Sequence, residues 1–370
     1  MRYYIIAGER SGDLHGGNLV KALRQHDASA TLRGLGGEYM KSAGVDLMVH
    51  YKDMAFMGFV EVITNLNKIS DYIKQCKRDI LQFKPDVVIL IDYGGFNRRI
   101  ARFAKKAGVK VFYYIPPKVW AWYQSRALEL KQNVDQLFVI LPFEKPFFKK
   151  FDVDVDYVGN PVLDAVKAHI GDSSFLTKHN LDETSLVALL PGSRKQELKT
   201  IIPLMAGVVK NFPKNQFAVA AVSNLDANLY TALRELPNVK FVFEDTYNLL
   251  QHAKAGIVTS GTATLETALF RVPQVVVYRT NYITYRIVKW LINVPYISLV
   301  NLIADKEVVK ELIQGDANAE KVSNELDRLL NNDDYRMQML DNYDSIIKIL
   351  DTGSASENTA KLMIGYLQKR

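Results

Sequence analysis

An α/β fold of two similar halves, each an open parallel sheet covered by helices and facing a central cleft, is what this 370-residue sequence predicts. Three observations carry that expectation. Short continuous apolar runs, such as PDVVILID (Pro85 to Asp92) and SLVALLPG (Ser185 to Gly192), read as strands buried on both faces. Segments with helical apolar spacing alternate with them. The alternation breaks after Gly159-Asn160-Pro161, crosses a polar, cap-rich passage around Asp172 to Glu183, and starts again.

RYYIIAG (Arg2 to Gly8) reads as a buried first strand, followed by the loop GERSGD and a helix through Leu14, Leu19, Val20 and Leu23. TLRGLGG is a second strand running into a glycine turn at Gly36-Gly37, and a helical segment spans roughly Met54 to Phe83. PDVVILID then leads to a helix from Asn97 to Ala107, and VKVFYYI (Val109 to Ile115) and VDQLFVILP supply further strands. In the second half, SLVALLPG feeds the helix KQELKTIIPLMAGVVKNF, and QFAVAAV, VKFVFE, AGIVT and PQVVVYR continue the sheet. Helices close the chain, among them Thr359 to Gln368. Domains are expected at residues 1–164 and 165–345. In open sheets of this kind ligands lie beyond the carboxyl ends of the strands. Every candidate below sits at such an end.

Composition narrows the class. Hydrophobic content of 48% with 24% charged residues describes a soluble globular protein, and 370 residues exceed what one core commonly holds. A single cysteine, Cys76, excludes an internal disulfide framework and fits a reducing compartment, with packing as its expected role. The N-terminus MRYYIIAG runs straight into strand-like sequence without a secretory apolar core. No window reaches the roughly 18 uninterrupted apolar residues of a spanning helix. Residues 282–303 come nearest, and Arg286 and Lys289 interrupt them. A cytoplasmic protein is expected, not necessarily one away from membranes. Net charge is +7 and unevenly spread: residues 1–150 hold 24 Lys and Arg against 14 Asp and Glu, and the remainder 23 against 26. A basic first half suggests an anionic partner there (nucleic acid, an anionic lipid surface or a phosphorylated substrate) or simply a solvated basic face.

Two loops point to anion chemistry. SGTATLE (Ser260 to Glu266) follows the strand AGIVT and opens a helix, so its unpaired amides and the helix dipole favour negative charge. Gly261 permits close approach, while Ser260 and Thr262 add hydroxyls. Glu266, one turn on, is placed to accept hydrogen bonds from a ribose. An ordinary N-capped helix with a first-turn glutamate also fits. LPGSRKQE (Leu190 to Glu197) is a second strand–loop–helix junction. Gly192 tightens its backbone, Ser193 is a capping candidate, and Arg194 offers a guanidinium to a phosphate. Glu197 can pair with Arg194 or complete a capping box with Ser193. Together the two loops suit a diphosphate with an attached ribose.

LPGSRxxE followed by SGTATLE resembles nucleotide-sugar glycosyltransferases with two Rossmann-like domains, the B-type glycosyltransferase fold. IAGERSGD, MGFVEV, PDVVILIDYGGFN, PPKVWAW, LPFEK and SLVNLIADKEVVKEL narrow the resemblance to the lipid A disaccharide synthase family, over about residues 3–315. That resemblance implies transfer from UDP-2,3-diacylglucosamine to 2,3-diacylglucosamine 1-phosphate, forming a β-1′,6 linkage and UDP, with inversion. It implies no metal, and no His/Cys ligand set stands out in the sequence. It also implies acylated glucosamine substrates, a peripheral position on the anionic inner face of the inner membrane, a closing segment (about 346–370) packed back on the first domain, and a homodimer that exchanges C-terminal segments. Aromatic residues interleaved with Lys and Arg also suit RNA, but no RNA-binding module is present, so no nucleic-acid partner is expected. Two rivals remain: a soluble UDP-N-acetylglucosamine 2-epimerase-like enzyme, and a non-catalytic nucleotide-sugar-binding membrane protein.

Asp92 ends a buried strand, and the transfer needs a base for an attacking sugar hydroxyl. The resemblance makes Asp92 the favoured catalytic position, with a loop-capping aspartate bonded to the amides of Gly94 and Gly95 as the plainer alternative. Relatives often carry a second aspartate where this chain has Gly95. Glu9, Ser11 and Asp13 of GERSGD line the reaction centre by resemblance, with helix capping as the plainer alternative. His15 is a base by chemistry, at a position where relatives are often apolar. Asn301 in SLVNLIAD is suited to a substrate hydrogen bond. For the lipid side, Met54, Phe56, Met57 and Phe59 precede a stripe through Val62, Leu66, Ile69 and Ile73. An interfacial loop, an acyl groove and core packing all fit it. Arg98, Arg99 and Arg102 share a short helix suited to an anionic surface, while Lys145, Lys149 and Lys150 form another basic group. Trp120, Trp122 and Tyr123 are core or sugar-stacking aromatics, and Lys118 stands where relatives have a small hydroxyl residue.

Overall fold

A computed structural model describes residues 1–54, 66–281, 285 and 294–369. The chain divides into two compact units: Met1–Pro161 with Thr352–Arg370, and Val162–Asp351. No described helix is long and apolar enough to cross a membrane.

The first unit is built on seven parallel strands: β1 (Arg2–Ala7), β2 (Thr31–Gly36), β3 (Asp46–His50), β4 (Val87–Ile91), β5 (Lys110–Tyr114), β6 (Gln136–Val139) and β7 (Val155–Tyr157). Their order is β3-β2-β1-β4-β5-β6-β7. The helices between them are α1 (Arg10–His26), α2 (Glu38–Ser42), α3 (Leu66–Phe83), α4 (Gly94–Lys106), α5 (Arg126–Asn133) and α6 (Glu144–Lys149). Side chains alternate between the two faces. Tyr3, Ile5 and Ala7 of β1 and Val87, Ile89 and Ile91 of β4 join one core cluster with Leu19 and Leu23 of α1. On the other face the Tyr4 hydroxyl donates to Asp79 of α3 at 2.8 Å, beside buried Cys76, which is therefore a packing residue. All five residues of β4 are fully buried. At about 1.5–3 kcal/mol for each large side chain, that gross burial is on the order of 10 kcal/mol and fixes the strand that ends at Asp92.

In the second unit the strands are β8 (Leu186–Leu190), β9 (Gln216–Ala221), β10 (Val239–Phe243), β11 (Ala255–Thr259), β12 (Gln274–Tyr278) and β13 (Lys310–Ile313). They are also parallel, in the order β10-β9-β8-β11-β12-β13. Its helices are α7 (Pro161–Lys167), which starts at the boundary, α8 (Phe175–His179), α9 (Lys195–Val209), α10 (Thr231–Arg234), α11 (Thr246–His252), α12 (Thr262–Leu269), α13 (Leu299–Ala304), α14 (Ala319–Asn331) and α15 (Asp333–Leu350). The closing helix α16 (Ala355–Gln368) belongs to the first unit. Its Ala360, Met363 and Ile364 enter the β1/β4 core, and Lys110 of β5 donates to the Tyr366 carbonyl at 3.2 Å.

In each unit the chain runs outward from its first strand, then returns to lay the fourth beside it. β1 is followed by β2 and β3 before β4 pairs with β1; β8 is followed by β9 and β10 before β11 pairs with β8. The loops leaving those central strands diverge to opposite sides, opening a crevice at the carboxyl edge. That topology places GERSGD beside Asp92 in one unit and LPGSR beside SGT in the other.

Candidate active site

At the first switch point Asp92 and Tyr93 both adopt the left-handed backbone region, with φ of 46° and 50°. Two such residues in succession are costly for non-glycine side chains, so the surroundings must hold them. Asn97 Nδ2 donates to the Asp92 carbonyl at 2.8 Å and to that of Ile91 at 3.2 Å, and the Tyr113 hydroxyl donates to the Asp92 carbonyl at 2.7 Å. Glycines admit the neighbouring loops: a Cβ on Gly8 would lie 2.1 Å from the Tyr93 ring. The bend is thus fixed through its main chain, and the half-buried Asp92 carboxylate accepts no hydrogen bond among the described residues. It does not cap the turn at Gly94 and Gly95. Gly95 has open space where a Cβ would project, so the second carboxylate of relatives would meet no steric obstacle.

The other residues of this edge separate. Asp13 is 1% exposed, and its carboxylate accepts the amides of Gly37, Tyr39 and Met40 at 2.7, 3.0 and 3.1 Å. This corrects its expected place among the reacting groups: three backbone donors occupy it, and it ties α1 to the start of α2. Glu9 and Ser11 remain exposed at the edge. Helix α1 begins at Arg10 with Glu9 as its N-cap, so Ser11 lies inside the first turn and is not the cap. His15, one turn later, is half-buried. Burial holds its pKa below the ordinary histidine value, and the field of the Asp92 carboxylate opposes that shift.

At the second switch point, Gly192 has φ of +99°, and a Cβ there would lie 2.4 Å from Glu197 Oε2. Glu197 accepts the amides of Ser193 and Arg194 at 3.1 and 3.2 Å and pairs with the Arg194 guanidinium at 3.3 Å. Arg194, not Ser193, is the N-cap of α9. A carboxylate of the chain itself therefore fills this helix start, which changes its expected role: the loop supplies a guanidinium, 83% exposed, instead of free amides. The start of α12 differs. Thr264 bonds back to the Gly261 carbonyl through its amide and its hydroxyl, whereas the amides of Gly261, Thr262 and Ala263 find no acceptor among the described residues. Ser260 donates its hydroxyl to the Ile297 carbonyl at 3.0 Å, so Thr262 carries the hydroxyl left exposed at this turn. Glu266 accepts from the Tyr247 hydroxyl at 3.0 Å. Burial raises its pKa, and that hydrogen bond pulls it back.

Asn301 is fully buried, and both ends of its side chain are engaged. Its Oδ1 accepts the amides of Val308 and Val309 while Nδ2 donates to the Val309 carbonyl and to Glu311. The expected substrate contact is thus corrected to a loop-building role. Glu311 completes it by accepting the amides of Ile297 and Ser298, each at 2.9 Å. Asn97, Tyr113, Tyr247 and Glu311 were not singled out from sequence. Asn97 lies within PDVVILIDYGGFN, Tyr113 within VKVFYYI and Glu311 within SLVNLIADKEVVKEL, whereas no motif covers Tyr247.

Of the expected lipid contacts, Met54 is buried and so belongs to the core. Phe56, Met57, Phe59 and Val62 lie outside the described residues, as does the side chain of Leu66. Ile69 is half-buried on α3. Arg98 and Arg102 pair with Glu129 of α5 at 2.9 and 3.0 Å, and Arg99 is exposed. Trp120 is a core residue, edge-on to Phe143 and donating to the buried Glu144 at 3.2 Å. Burial raises the Glu144 pKa to about 7, against the bonds it accepts from the amides of Leu141 and Ile140. Trp122 and Tyr123 are 44% and 49% exposed. Among the described residues no group of three His, Cys, Asp or Glu gathers as a metal site would need.

Comparison with known proteins identifies the family and the fold. The family model for lipid-A-disaccharide synthetase matches residues 3–363. The lipid-A-disaccharide synthase of Syntrophus aciditrophicus is 39% identical over 373 residues, covering 99% of this chain and 97% of that protein. Among solved structures, a putative UDP-N-acetylglucosamine 2-epimerase from Listeria monocytogenes superposes with a TM-score of 0.71 at 14% identity, covering 100% of this chain and 97% of the other. The calicheamicin glycosyltransferase CalG4 does so at 0.64 and 13%, covering 100% and 98%. At such identities the likeness is one of fold, that of two-domain B-type glycosyltransferases and epimerases.

Proposed function

The chain belongs to the lipid-A-disaccharide synthetase family, and from that premise we propose how its residues carry out the transfer. The enzyme is a glycosyltransferase that makes the lipid A disaccharide. The proposed donor is UDP-2,3-diacylglucosamine and the proposed acceptor 2,3-diacylglucosamine 1-phosphate. Asp92 takes the proton of the acceptor 6-hydroxyl as that oxygen bonds to the donor's anomeric carbon, and the bond from that carbon to the UDP oxygen breaks. A general base of this kind contributes about 10²–10⁴-fold. The observation that carries its assignment is the Asp92 carboxylate, which accepts no hydrogen bond among the described residues while Asn97 and Tyr113 lock its main chain.

The departing diphosphate gains negative charge. The amides at the start of α12, unpaired among the described residues, and the exposed Arg194 guanidinium are the groups that answer it, in a proposed transfer that uses no metal. Glu266, oriented by Tyr247, accepts the ribose hydroxyls. Glu9 and Ser11 position the sugars. The basic excess of the first unit supports a peripheral position on an anionic membrane.

Purified enzyme in detergent micelles, given the two acylated substrates, should yield a disaccharide 1-phosphate by mass spectrometry with one UDP per product. Conversion of non-acylated UDP-N-acetylglucosamine to its 2-epimer, with no disaccharide formed, would overturn this reading in favour of the epimerase.

A further inference from the structure

Helix α4 carries five cations and no acid: Arg98, Arg99, Arg102, Lys105 and Lys106. The helix dipole accounts for the two lysines, which sit in its last turn, one of them paired with Asp135 at 2.5 Å. It gives no support to Arg98 and Arg99 in the first half of the helix. Arg102 lies four residues after Arg98 and three after Arg99, and the three line a cleft of about 200 Å³ whose fourth wall is Glu129 of α5. Glu129 bonds Arg98 and Arg102 through separate oxygens, which brings two guanidiniums side by side. One acid against three arginines leaves the cleft at +2, with most of the guanidinium N–H groups unspent among the described residues. The segment that supplies Glu129 also exposes Trp122, Tyr123 and Leu128, and Arg126 stacks 4.5 Å over the Tyr123 ring. Guanidiniums beside exposed Trp and Tyr are the composition of a protein surface at lipid headgroup depth.

We propose that the Arg98–Arg99–Arg102 cleft, gathered by Glu129, is a binding site for the phosphate of an anionic membrane-lipid headgroup. It deepens the peripheral membrane position proposed above by replacing a diffuse basic face with one discrete site. Guanidinium forks match phosphate oxygens in pairs, a selectivity that scattered lysines lack.

The test uses the full-length enzyme and sedimentation with phosphatidylglycerol or phosphatidylcholine vesicles. Wild type should bind the phosphatidylglycerol vesicles only. The double variant Arg99→Glu/Arg102→Glu should lose at least ten-fold in that affinity, given about five-fold per basic residue at such a surface. A control of equal charge change in the same unit, Lys149→Glu/Lys150→Glu, should lose no more than a few-fold. Equal losses for the two doubles would reduce the cleft to a general basic face and overturn the site, as would unchanged binding by the arginine double. Inorganic phosphate alone and micellar acceptor with and without its 1-phosphate separate the sources. Loss of acceptor or inorganic phosphate binding with vesicle binding intact would contradict the membrane assignment. UDP titrated into each variant should bind as in wild type, which keeps failure of this site distinct from failure of the transferase reading.

Discussion

The two sheets share one plan and use it differently. Both put a pair of loops at a topological switch point, yet the loops of the first unit hold the main chain and leave a carboxylate unbonded among the described residues. Those of the second consume side chains to leave amides open. Asp92 stands on a left-handed bend fixed by Asn97 and Tyr113, whereas Glu197 and Asn301 are spent inside their own loops so that Gly261, Thr262 and Ala263 can face an anion. The contrast teaches that a polar residue at a strand end has a meaning set by which backbone groups around it are already paired. A base must be left unpaired; an anion site needs the chain's own acceptors directed elsewhere.

The sharpest way to break this contrast is Asp92→Asn. Turnover should fall about 10²–10⁴-fold while UDP affinity stays at the wild-type value. Activity within ten-fold of wild type would show the base to be another group. Next come two glycines. Gly192→Ala forces a Cβ against Glu197 at φ +99° and should cost about 1–3 kcal/mol, weakening UDP binding as the loop shifts. Gly95→Ala adds a Cβ to open space inside α4 and should stabilise by up to about 1 kcal/mol. Urea denaturation of the pair should show opposite signs. Tyr247→Phe leaves Glu266 without its donor and should weaken UDP binding by about 0.5–1.5 kcal/mol, read by calorimetry.

The smallest effect concerns His15. Its folded pKa lies below the unfolded value of about 6.5, so the unfolded chain takes up the proton first. Stability from this group is therefore full above pH 7 and declines as pH falls through 6.5. His15→Leu should flatten the difference between urea midpoints at pH 7.5 and pH 5.5. Equal slopes in variant and wild type would remove His15 from the edge chemistry.

Much of the fold was legible because a central parallel strand is a continuous apolar run. β1, β4, β5, β8 and β11 all announce themselves this way. The strands that escaped were β3, β7 and β13, each at a sheet edge, short, and mostly half-exposed, so their sequences DLMVH, VDY and KELI lack such a run. At the sites, residue types and strand-end positions were readable for Asp92, Gly192, Arg194 and Glu266. Pairing was not. Asp13 and Asn301 look like substrate ligands because buried amide-capping side chains are chemically the same as ligand-binding ones; only the backbone donors around them decide. Met54 likewise reads as a lipid contact until its burial is seen.

Soaking crystals of the enzyme with UDP tests the central claim most directly. The diphosphate should rest on the amides of Gly261, Thr262 and Ala263, with Arg194 within hydrogen-bonding distance and the ribose hydroxyls on Glu266. A nucleotide bound elsewhere, touching neither Arg194 nor Glu266, would contradict the division of labour between the two units.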